Sequence, residues 1–203
     1  MAKLRTPVTS RGHIQGPEDA PLTLVEYGDY ECPSCGSAYP IVKRVQEQFG
    51  RRLRFVFRNF PLSEIHPHAE SAAETAEFAA AQGRFWEMHD LLFENQEQLS
   101  EALYSELAEE LGLSPTALRQ ALEEGKYKER VRTDFSSGVR SGVNGTPTFF
   151  VNGMRHDGRF DYETLVLPYE KKVGRATPLS HENGEIWFMF SLGGDPLLRS
   201  TCE

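Results

Sequence analysis

The chain has 203 residues, of which 39% are hydrophobic and 26% charged, and its formal net charge is −8. That balance excludes a disordered chain, and the acidity argues against nucleic acid or an anionic membrane surface as a partner. Three cysteines, Cys32, Cys35 and Cys202, are too few for a disulfide scaffold of the secreted kind.

The stretch from Met1 to Ser10 has basic residues but no apolar run behind them. No secretory leader and no membrane span is read, so the expected location is cytoplasmic. Residues 1–20 are polar and read as a lead-in with a short edge strand. Leu22 to Tyr27 is β-rich and too short for a helix, which predicts a strand ending at Gly28-Asp29. From Pro33 to Phe49 the residues Ala38, Tyr39, Ile41, Val42, Val45 and Phe49 recur at helical spacing, and Gly50 marks the stop. Arg54 to Arg58 predicts a second strand. Strand, helix and strand make a βαβ unit, so these two strands should pair in parallel.

Residues 64–142 read as almost entirely helical. An alanine-rich run from Ala69 to Ala80 is broken at Gly83. Phe85 to Phe93 forms an aromatic amphipathic helix. Ser100 to Leu111 and Ser114 to Leu122 each open on a serine suited to capping, and residues 127–140 form the last helix. A helical block between strands predicts an insertion. Strand signals return at Thr148 to Val151, Asn152-Gly153 is a two-residue hairpin turn, and Met154 to His156 is its partner strand. Tyr162 to Lys172 reads as a closing helix. In the tail, Glu185 to Phe190 is apolar and β-prone. It would add a strand, dock on the core or form a self-association edge.

The chemistry lies at Cys32-Pro33-Ser34-Cys35. Disulfide exchange needs an attacking thiolate and a resolving thiol nearby. At a helix start, unpaired backbone N–H groups and the helix dipole favour an anionic sulfur, which makes Cys32 the nucleophile. Cys35, one turn along, is the resolving residue. Pro33 suits the first helical turn because it has no N–H to leave unpaired there. The pair admits two other readings. One is a zinc site completed by His66 and His68, whose spacing does not match the usual finger pattern. The other is a structural disulfide, whose closed loop is too small to stabilise much. Far along the chain, Gly145-Thr146-Pro147-Thr148 stands directly before a strand.

Leu24-Val25-Glu26-Tyr27 before the cysteine motif, a helical block, and then Val143 to Phe150 together resemble the DsbA-like branch of the thioredoxin superfamily. The resemblance covers about residues 12–172. The stretch from Phe85 to His89 is similar to the helical region of cytosolic members, some of them fused to transporters. The resemblance implies an α/β, thioredoxin-like fold with a helical insertion domain. Residues 12–62 and 143–172 would form the core, 63–142 the insertion and 173–203 an atypical tail. It implies that Pro147 is cis and packs beside the cysteines, and that Thr146 offers backbone hydrogen bonds to substrate. Glu26 would pass protons to or from Cys35. Its strand parity with Leu22 and Leu24 agrees, because a carboxyl on an apolar face should have a raised pKa; the alternative is a frayed strand end reaching solvent.

The expected activity is dithiol–disulfide exchange on protein or small-thiol substrates. No cofactor is expected beyond the Cys32–Cys35 disulfide, with glutathione as a candidate reductant. Ser34 stands where secreted members commonly have histidine, so a reductase or isomerase role stands beside an oxidase role. Two rival functions use the same fold: a redox-sensing regulatory module, and a glutathione-dependent isomerase or transferase. Of the remaining residues, Trp86, Phe85 and Phe93 read as core and His89 as a surface or capping residue. His156 has no evident partner, and Glu106 to Glu124 is the solvated face of helices. Cys202 reads as an inert thiol or an intermolecular redox partner.

Overall fold

The structure is a computed structural model that describes residues 2–161, 163–165, 177–178 and 188–189. Its central sheet is built from β1 (His13–Gln15), β2 (Leu22–Gly28), β3 (Leu53–Asn59), β4 (Thr148–Val151) and β5 (Met154–Arg155), in the order β1-β3-β2-β4-β5. β2 and β3 pair in parallel, with Leu24 opposite Phe55 and Glu26 opposite Phe57. The crossover between them is α1 (Pro33–Phe49), as a parallel pair requires. The other pairs are antiparallel, and β1 is the edge strand read in the lead-in.

Between β3 and β4 run α2 (Ala69–Ala80), α3 (Phe85–Glu94), α4 (Glu101–Glu110), α5 (Pro115–Glu123) and α6 (Lys128–Arg140). Local chemistry sets their limits. The side chains of Ser100 and Ser114 accept from the N–H groups of Leu103 and Ala117 and so cap α4 and α5. Gly83 takes φ +74 just after α2, a conformation that costs glycine little. At the β4–β5 hairpin, Asn152 and Gly153 take φ +48 and +79, which matches the turn expected for that dipeptide.

Strand alternation sends side chains to two cores. Leu22, Leu24, Phe55 and Phe57 face α1, in a cluster that continues without a break through Met88, Leu92, Leu103 and Leu118 of the helical block. Val25, Tyr27, Val56 and Phe150 face the other way, against Phe60, Val143 and Phe135. The glutamates from Glu106 to Glu124 lie on the exposed faces of α4 and α5. Beyond Leu165, β6 (Thr177–Pro178) and β7 (Phe188–Met189) pair antiparallel in a separate two-stranded sheet. Apart from the turn at 163–165, the closing helix expected over 162–172 lies outside the described residues, as does Cys202. Among the described residues, no helix is long and apolar enough to cross a membrane.

Candidate active site

Cys32 is the N-cap of α1. Its backbone is extended (φ −71, ψ 119) and Pro33 occupies the first turn, so the helix axis starts directly beneath the sulfur. Cys32 is 6% exposed and Cys35 is fully buried; both are free thiols. The Cys32 carbonyl accepts from the N–H groups of Cys35 (2.9 Å) and Gly36 (3.1 Å), which closes the first turn.

The loop before β4 reaches the same place from more than a hundred residues away. The Thr146–Pro147 peptide is cis, and the Cys32 thiol donates to the Thr146 carbonyl at 3.3 Å. The Thr146 hydroxyl is buried without a partner in this dithiol state, so it can donate to the sulfur once the thiol proton leaves. Thr148 Oγ1 donates to the Gly145 carbonyl at 2.7 Å and holds the loop's bend.

The two sulfurs are electrostatically opposite. The Cys32 pKa falls from 9.0 to about 5. The Cys35 thiol, donating to the anion, is the largest cause; partial burial opposes it, and Thr146 and the N–H groups of Cys35 and Ser34 add to it. Burial, then the hydrogen bond to Cys32, and then the charges of Glu26 and Cys32 push the Cys35 thiol well above 9.0. Glu26 is only 3% exposed, and burial followed by the Cys32 charge raises its pKa from 4.5 to about 8. Glu26 therefore lies on the face of β2 that strand parity predicts, and the strand is not frayed there because Glu26 sits between paired residues on both sides.

Three residues at the site carried no such role in the sequence. Asp29 is buried; its N–H donates to Cys35 Sγ at 3.4 Å, and its carbonyl accepts from the Cys32 N–H at 3.2 Å. Its carboxylate accepts from the N–H groups of Glu31 and Leu62 and pairs with His66 Nδ1 at 2.7 Å. Burial opposes charge on His66, but the Asp29 bond and charge outweigh it, and the His66 pKa is raised. His66 is thus tied to the active-site loop. Gln96, in the 3₁₀ turn Gln96–Gln98 after α3, donates from Nε2 to the carbonyls of Tyr30 (2.7 Å) and Cys32 (2.9 Å). Among the described residues, no group of three or more His, Cys, Asp or Glu is arranged to hold a metal ion.

Two expectations are corrected. His89 is not a surface or capping residue: it is 3% exposed, with Nδ1 3.1 Å from the Tyr30 hydroxyl. It lies four residues from both Phe85 and Phe93, on the helix's apolar face, and burial lowers its pKa well below 6.5. His156 does have a partner, because its Nε2 lies 2.9 Å from the Arg159 carbonyl oxygen.

A family model described as Thioredoxin matches residues 8–167. The chain belongs to that thioredoxin family. The oxidised form of BdbD from Bacillus subtilis superposes with a TM-score of 0.76 at 27% identity, over 84% of this chain and 97% of that one. The alpha-DsbA1 structure from Wolbachia pipientis gives a TM-score of 0.71 over 83% and 93% of the two chains; at 19% identity it speaks for the fold alone. In sequence, the Na(+)/H(+) antiporter NhaA 3 of Salinispora tropica is 46% identical over 155 residues, which is 76% of this chain. The matched stretch makes up only 24% of that relative, so the chain spans about a quarter of its length. The fold is the thioredoxin-like one with helices between its third and fourth strands, shared with DsbA-type structures.

Proposed function

We propose that the protein is a thiol–disulfide oxidoreductase acting through Cys32 and Cys35 on protein or small-thiol substrates. The carrying observation is the pairing of an acidic Cys32 at the α1 N-terminus with a buried, protonated Cys35 beneath it. In the oxidising direction, a substrate thiolate attacks Sγ of Cys32 in the Cys32–Cys35 disulfide. The S–S bond breaks and Cys35 leaves with the electron pair. A buried thiolate there needs a proton, and Glu26, with its pKa near 8, is mostly protonated at neutral pH and supplies it. A second substrate thiolate then displaces Cys32 from the mixed disulfide, leaving oxidised substrate and the dithiol. The reverse sequence reduces a substrate disulfide. Thr146 and Pro147 would align an extended substrate chain across the sulfurs.

The acidic Cys32 favours the dithiol form and makes a good leaving group, which supports the role of a disulfide donor. In a compartment poised like the cytosol, glutathione would set how much of the pair is oxidised. The antiporter name belongs to a much longer relative, and the proposed reaction rests on the two sulfurs.

Turnover assays test this reading. Cys32→Ser should abolish exchange with insulin or oxidised glutathione, and Cys35→Ser should accumulate mixed disulfides. Full exchange by Cys32→Ser would overturn it, and a glutathione titration fixes the direction.

A further inference from the structure

Gln96 is delivered to the active site by the end of α3, whose Phe93 ring packs 4.9 Å from that of Tyr30. One nitrogen of its amide spans two carbonyls, those of Tyr30 and Cys32. These flank the residue just before the nucleophile, and the Cys32 carbonyl is also the acceptor that starts α1. The other end of the amide lies over the helix. A Cβ on Gly36 would stand 2.1 Å from Gln96 Oε1 and 2.9 Å from its Cδ, so an alanine there cannot coexist with Gln96 in this position. All the nearest atoms belong to the far end of one flexible side chain, so it would swing away while the backbone stays.

Resting on Cys32 as the nucleophile, we propose that Gln96 is a positioning residue: it holds the Tyr30–Cys32 backbone so that the Cys32 sulfur stays over the start of α1. Through it, the helical block sets the acidity and redox equilibrium of a thiol on the other part of the fold. Gly36 is the vacancy that lets it approach. When the two carbonyls are released, the N-terminal turn loosens and the sulfur loses part of the donors that stabilise its anion.

The pH dependence of Cys32 alkylation and the equilibrium constant with glutathione test this in the full chain. Gln96→Ala should raise the alkylation midpoint by about one pH unit, a tenfold change in thiolate ionisation, and make the couple less oxidising. Gly36→Ala should do the same by evicting the amide. The double variant should equal Gln96→Ala alone, because the atom that clashes is gone. A lowered melting temperature with unchanged midpoint and glutathione constant would reduce Gln96 to a structural tie and overturn the proposal. Additive shifts in the double variant, or no shift in Gly36→Ala, would overturn it too. A wild-type protein with no acidic midpoint at Cys32 would instead sink the oxidoreductase reading itself.

Discussion

Glu26 on β2 and Glu77 on α2 are both buried carboxylates, 3% and 4% exposed, yet their surroundings differ in kind. Glu77 is fully engaged. Its Oε1 meets His13 Nε2 at 2.8 Å and Asn59 Nδ2 at 2.7 Å, and its Oε2 lies 3.6 Å from Arg130, which in turn pairs with Asp134 at 2.7 Å. The forces on Glu26 are burial and the Cys32 charge, and both favour the neutral acid. A buried carboxylate with partners fastens elements together; one left protonated beside a thiol is poised to hand over a proton.

The largest expected effect comes from taking the fastener away. Glu77→Ala strands His13 and Asn59 and should cost about 3 kcal/mol, read as a lower denaturation midpoint, with the acidity of Cys32 unchanged. A shift in Cys32 acidity of the size expected for Gln96→Ala would blur the distinction between the two carboxylates.

Glu26→Gln should act in the opposite sense. The carboxyl's folded pKa of about 8 lies above its ordinary 4.5, so the fold binds its proton more tightly than the unfolded chain does. Its contribution is fully present below pH 4.5 and is lost as pH rises towards 8. The glutamine variant should therefore match wild type near pH 4 and be more stable by at most about 3 kcal/mol at pH 7. It should also slow the attack on the Cys32–Cys35 disulfide, because Cys35 then leaves without its proton donor. Equal stability at pH 4 and pH 7 would show that Glu26 ionises freely.

The smallest effect is expected at the cap of α5, which bonds neither carboxyl. Ser114→Ala removes the α5 cap and should cost about 1 kcal/mol, with exchange rates unaltered. A change in rate would mean that the helical block couples to the site more diffusely than through one side chain.

What the sequence revealed follows from the range of the forces. The β2-α1-β3 unit, the capped helices and the Asn152-Gly153 turn are written in local periodicity and turn chemistry. The side of β2 on which Glu26 lies follows from alternation alone. His89 was legible as well, through its spacing from Phe85 and Phe93, but its polarity pointed the wrong way. Gln96 sits in a polar run that reads as surface, and its bond to Cys32 joins residues 64 apart. The His13–Glu77 pair spans the same separation. Such contacts exist only once the helices have docked, so no local pattern announces them.

The most direct test is the rate at which an alkylating reagent modifies the reduced protein between pH 3 and pH 10, with the modified sulfur located by mass spectrometry. Modification at Cys32 before Cys35, with a midpoint near pH 5, is the expected result. A midpoint near the ordinary thiol value of 9.0, or modification of Cys35 first, would contradict it.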